Sequence, residues 1–122
     1  MAKITGLGGF FFKTADREAT SRWFTEKLGL PMETWGQMFP SEPQKETYTV
    51  LGLHGRDSDY FTGSTREFML NLRVDDLEGM LADLAKKGVQ ALRVFPPDDN
   101  GRFAHIAGPD GITLELWQPA EP

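Results

Sequence analysis

The sequence predicts an α+β domain built from two βαβββ units in tandem, about residues 1–62 and 63–122, with sheets curled around a cavity and helices outside. Three observations predict it. FFFKTAD, ending at Asp16, lies against LNLRVDD, ending at Asp76, at an offset of 60. The helix stops Gly29 and Gly88 repeat at an offset of 59. The chain then closes on GRFAHIAGPDGITLELWQP, in which two alternating runs, Arg102 to Ala107 and Ile112 to Trp117, flank Gly108-Pro109-Asp110-Gly111. Proline fixes φ and glycine permits a positive one, so this stretch is a β-hairpin with a four-residue loop.

In order, the first unit opens with a strand over Ile4 to Thr14, thinned by Gly6, Gly8 and Gly9 and crowded by Phe10, Phe11 and Phe12. Asp16 caps a helix reaching about Leu28, with Ala19, Trp23, Phe24 and Leu28 as its apolar stripe, and Gly29 and Pro31 end it. Strands follow at Glu33 to Phe39 and Glu46 to Leu53, around an exposed loop at Pro40 to Lys45. A short segment around Tyr60 completes the unit. His54 and Gly55 to Asp59 read as a solvated turn, with cation binding as the alternative.

The second unit begins with a strand over Glu67 to Val74. Alternation puts Phe68, Leu70, Leu72 and Val74 on one face and Met69, Asn71 and Arg73 on the other. Asp75 and Glu78 have capping-box spacing. The helix after them carries Leu77, Met80, Leu81, Leu84 and Ala85 at i, i+3, i+4, i+7 and i+8, with Leu81 expected to be fully buried. Gly88 stops it, Val89 to Phe95 is a strand, and the hairpin ends the chain.

Composition bounds the function. One domain of 122 residues is large enough for a real core. With no cysteine, disulfides, thiolate metal sites and cysteine nucleophiles are excluded. A net charge of −5 argues against nucleic acid, which is held through Lys and Arg. No run approaches the roughly 20 apolar residues of a membrane span. The start, MAKITGLGGFFF, does not read as a signal peptide. A cytoplasmic protein is the expectation.

The chemistry gathers on one face of the last strand. Ile112, Leu114 and Leu116 point one way and Thr113, Glu115 and Trp117 the other. A carboxylate is almost never buried without a partner, so Glu115 faces water, a cation or a ligand cavity. Trp117 on the same face, with Phe103 and His105 expected on the neighbouring strand, makes an ordinary wet face a poor description.

The duplication and the ending GPDGITLELWQP together resemble the vicinal oxygen chelate superfamily, which holds glyoxalase I, extradiol dioxygenases, fosfomycin-resistance transferases and bleomycin-resistance binding proteins. FKTADREATSRWFTEKLGL fits the first helical unit and NLRVDDLEGMLADLAKKGV the second, although Gly108 stands where the hairpin usually has Asp. The resemblance implies a divalent-ion site with three ligands, falling here at Gly9, Met69 and Glu115. Gly9 has no side chain and Met69 is a soft thioether, so only Glu115 matches, too few for a catalytic ion. No cofactor is therefore expected. A rebuilt site of Glu115, His105 and His54 is the chemical alternative.

Two functions follow. The first is a metal-independent small-molecule binder of the bleomycin-resistance type, its cavity lined by Phe11, Met69, Phe103 and Trp117, with Asn71, His105 and Glu115 as polar contacts. Such a cavity suits an aromatic or cationic ligand. The second is a glyoxalase-like lyase or isomerase using Glu115 and His105 as acid and base, the pair that the superfamily's hairpin register brings together. For His105 a satisfied structural role is the competing reading. Small units with sheet face left to cover imply a homodimer.

Overall fold

The computed structural model describes residues 10–33, 35–39 and 49–121. At its centre lies a four-stranded sheet, not closed into a barrel, of order β1-β4-β3-β2. Its strands are β1 (Leu70–Arg73), β2 (Ala91–Val94), β3 (Gly101–Ala107) and β4 (Thr113–Pro119). β3 pairs antiparallel with both β2 and β4, whereas β1 runs parallel to β4. A parallel neighbour needs a long crossover, and helix α2 (Leu77–Lys86) is part of it. The second half therefore runs β-α-β-β-β.

Among the described residues the first half holds one helix, α1 (Arg17–Leu28), and no strand. The strand expected at Glu33 to Phe39 is instead a turn. Glu33 and Gly36 exchange backbone hydrogen bonds of 2.9 and 3.1 Å, and Gly36 takes a φ of +134° that closes the chain on itself. Residues 10–14 and 49–53 also form no strand, while 4–9 and 40–48, with the expected loop at Pro40 to Lys45, lie outside the described residues. The phenylalanines near the start are held by ring contacts in place of a backbone ladder: Phe10 and Phe12 lie 5.2 and 5.7 Å from the Phe68 ring.

The core sits on one face of the sheet. Ala104 and Ile106 of β3 and Leu114 and Leu116 of β4 cluster there with Phe24 of α1 and Leu77 and Leu84 of α2. Both helices thus cover this face. Leu81 corrects an expectation: it is only half-buried, because Leu77 and Leu84, two turns apart, form the line that faces the sheet and Leu81 flanks it.

The helices are framed alike. Asp16 and Asp76 have nearly the same extended conformation, and each carboxylate accepts from the backbone N–H three residues on, Ala19 and Gly79, at 3.0 Å. The second cap is therefore Asp76, one residue beyond the expected Asp75. Past each helix Gly29 and Gly88 adopt left-handed φ of 73° and 83°, and the next residue's N–H returns to Phe24 O and Leu84 O. Where the helices end, Lys27 Nζ donates to Lys87 O at 2.8 Å and Lys87 Nζ to Lys27 O at 3.4 Å.

The hairpin loop is a tight helical turn, Pro109–Gly111, with Asp110 at φ 58°. Its carboxylate accepts from Arg66 at 2.6 Å and from the Ala15 N–H at 3.3 Å. These bonds tie the segment before α1 to the hairpin.

Candidate functional site

β4 has neighbours on both sides, so a side chain on its outer face is reached from two strands. The register sets His105 of β3 and Asn71 of β1 directly beside Glu115, with Phe103 beside Trp117 and Ala107 beside Thr113. This face is opposite the Leu114 and Leu116 core. The segment preceding β1 crosses it and brings in Tyr60 and Thr62.

Glu115 is 6 % exposed and receives three protein donors. Its Oε2 accepts from the Tyr60 hydroxyl and from His105 Nε2 at 2.9 Å. Its Oε1 accepts from Asn71 Nδ2 at 2.8 Å. Burial is the largest influence on the Glu115 carboxyl and pushes it up. The hydrogen bonds from His105, Tyr60 and Asn71, with the electrostatic pull of His105, outweigh it and hold the group below the usual carboxylate range. Tyr60 is displaced the other way: burial first, then its hydrogen bond to Glu115 and that carboxylate's charge, raise the phenol well above its ordinary range. Tyr60 is thus a neutral donor and Glu115 a carboxylate.

His105 has no exposed surface. A carboxylate only accepts, so Nε2 carries a proton, and Nδ1 pairs with the Thr62 hydroxyl at 2.9 Å. Thr113 Oγ1 in turn donates to Thr62 O at 2.6 Å, which fixes Thr62 against the sheet. Aromatic rings enclose the pair. Tyr60 and Phe95 each stand edge-on to His105, with ring centres 4.9 Å away. His54 stacks on Tyr60 at 5.0 Å, and the Arg93 guanidinium covers Phe95 at 4.4 Å.

At the β1 edge of the sheet lies an open crevice of about 2500 Å³ that reaches both faces, with Phe24, Leu72 and Leu116 on the core side. Phe11, Met69, Asn71, Glu115 and Trp117 line it. Phe103 and His105 do not border it: Phe103 stacks on Trp117 at 5.9 Å and His105 lies behind Glu115. Trp117 Nε1 is engaged by Asn100 O at 2.9 Å, which leaves its ring as an apolar wall. Phe11, 92 % exposed, stands at the rim.

The donor set does not fit the divalent ion that the superfamily resemblance implies. Glu115 is surrounded by a phenol O–H, an amide N–H and an imidazole N–H, groups that donate to it where a cation needs further lone pairs. Among the described residues no three of His, Cys, Asp and Glu stand together as a metal cluster. His54 faces the Tyr60 ring, and the position at Gly9 lies outside the described residues.

Sequence reasoning missed Tyr60, Thr62 and Phe95. One signal was present. A buried carboxylate with a single histidine in reach needs more donors, and the chain has only two tyrosines to offer.

No protein-family model matches the chain, and no curated protein matches it. Solved structures share its fold. TnmS3, an antibiotic binding protein from Streptomyces sp. CB03234, is 23 % identical with a TM-score of 0.57, over 98 % of this chain and 100 % of that one. A structure from the mobile metagenome of V. Pseudocholerae, VPC_CASS1, is 17 % identical with a TM-score of 0.64, over 99 % of both chains.

Proposed function

We propose that this chain is a small-molecule-binding protein of the bleomycin-resistance type that works without a metal, and that its ligand lies in the crevice over Asn71, Glu115 and Trp117. One observation carries this reading. At the crevice floor a buried carboxylate keeps its charge through protein donors alone, in a frame of apolar side chains. The fold shared with an antibiotic-binding protein supports it. An anionic floor between Met69 and Trp117 suits an aromatic ligand, above all a cationic one.

The reading extends to assembly. A crevice of about 2500 Å³ exceeds the roughly 300–1000 Å³ that one drug-sized ligand fills. Phe11, Trp35, Met38, Leu51 and Leu53, all strongly exposed, border it. A second copy of the chain that covers these side chains would narrow the crevice into a composite cavity, which is the basis for proposing a homodimer. The repeated caps and helix ends support a tandem βαβββ layout, and a cytoplasmic location remains part of the proposal.

The second reading, a lyase or isomerase with Glu115 and His105 as acid and base, has their 2.9 Å hydrogen bond in its favour. Against it, His105 is wholly enclosed by Tyr60, Phe95 and Thr62 and offers a substrate no ring atom.

Calorimetric titration with aminacrine, a cationic aminoacridine, and with acridine, its neutral parent ring, tests the binding reading. Glu115→Gln should weaken aminacrine about tenfold, because the cation loses the negative charge beneath the Asn71 amide, and acridine much less. Failure of both molecules to bind the wild-type protein, or equal losses for both, would overturn it.

A further inference from the structure

We infer that Asn71 is the specificity-determining residue of the crevice and selects aromatic ligands that carry an N–H donor; this rests on the binding reading above. The amide has one orientation open to it. Its partner is the Glu115 carboxylate, which accepts only, so the group at 2.8 Å must be Nδ2–H; the reverse orientation would set two acceptors against each other. The carbonyl oxygen, Oδ1, is therefore turned away from Glu115. Asn71 is exposed and lines the crevice, and Oδ1 makes no hydrogen bond among the described residues.

A ligand entering over β1 consequently meets an acceptor before it meets the charge. Glu115 Oε2 is closed off by Tyr60 and His105, and Oε1 lies behind the Asn71 amide. The bond from Nδ2 to an anion polarises the amide and makes Oδ1 a stronger acceptor than a solvated asparagine. The carboxylate is thus read through Asn71 as a directional acceptor. Met69, two residues earlier and just before β1, and Trp117, two residues on from Glu115, supply apolar surface beside it for a flat ring. The recognised class is an aromatic ring with an amino or amide N–H at its edge. Lacking that donor, a ring would leave Oδ1 desolvated and unpaired.

Three acridines separate donor from charge: acridine is neutral, N-methylacridinium is cationic without an N–H, and aminacrine is cationic with one. Asn71→Leu keeps the side chain's size, covers Glu115 Oε1 and removes the acceptor. It should weaken aminacrine about tenfold, N-methylacridinium distinctly less, through the lost donor to Glu115 alone, and acridine least. Asn71→Met removes the acceptor in the same way and replaces the first variant should that one not fold. Equal losses for all three rings, or no loss for aminacrine, would overturn the role of Asn71 and leave the binding reading standing. Should none of the three bind the wild-type protein, the binding reading falls and this inference with it.

Discussion

Tyr60 donates to a buried carboxylate across 55 residues of sequence, and its ring is packed between His54 and Phe95. Tyr60→Phe keeps the ring and deletes the donor, so it should cost about 1.5–3 kcal/mol, the scale of a hydrogen bond to a charged group. Chemical denaturation would read that loss, and a change under about 0.5 kcal/mol would show that the bond contributes nothing. The titrations give the same bond a pH signature. The phenol's pKa is raised in the fold, so its contribution is complete below the unfolded value of about 10 and fades as the pH climbs beyond it. Glu115 is shifted down, so its contribution is complete above the unfolded value of about 4.3 and is lost as the pH falls through the folded one. Stability measured against pH should lose part of its alkaline slope in Tyr60→Phe and part of its acid slope in Glu115→Gln; unchanged slopes in both would contradict the network. Glu115 and His105 could be read in the sequence because alternation along a strand reports which face a residue takes. Tyr60 could not, since no periodicity governs where a crossing segment sets down one ring.

Helices and hairpin show the same division. α1, α2 and the β3–β4 hairpin were legible because each carries local signals: Asp16 as a cap, Gly29 and Gly88 as stops, and Pro109 to Gly111 as the turn, with only the second cap falling one residue on from Asp75, at Asp76. The first-half strands were not, because strand pairing depends on distant partners. Phe10, still exposed, and the half-buried Phe12 pack on Phe68 with no ladder at all. Along α2, Leu84 is wholly buried and Leu81 half-buried. Leu84→Ala should cost about 2–5 kcal/mol and Leu81→Ala distinctly less. The reverse order in denaturant melts would show that the helix is rotated from the face described. At the start of β3, Gly101 has φ +122°, and a Cβ there would stand 2.1 Å from Gln118 O. Gly101→Ala must displace the end of β4, so its thermal midpoint should fall below that of the wild type, and an unchanged midpoint would contradict the close approach.

For the whole molecule, features of the two helices recur at one offset. The caps Asp16 and Asp76, the buried Phe24 and Leu84, and the reciprocal bonds between Lys27 and Lys87 are each separated by 60 residues. The crevice that reaches Glu115 is bordered by the exposed Phe11, Leu51 and Leu53. Light scattering at micromolar concentration should return the mass of a dimer; a monodisperse monomer would remove the composite cavity and leave the fold untouched. What unites the residue network with the crevice is the claim that protein donors, with no metal ion among them, hold the Glu115 charge. Titration of aminacrine into protein dialysed against a strong chelator tests that claim most directly. Saturable binding within about twofold of the untreated protein is the predicted result. Binding that disappears on chelation and returns with a stoichiometric divalent ion would contradict it.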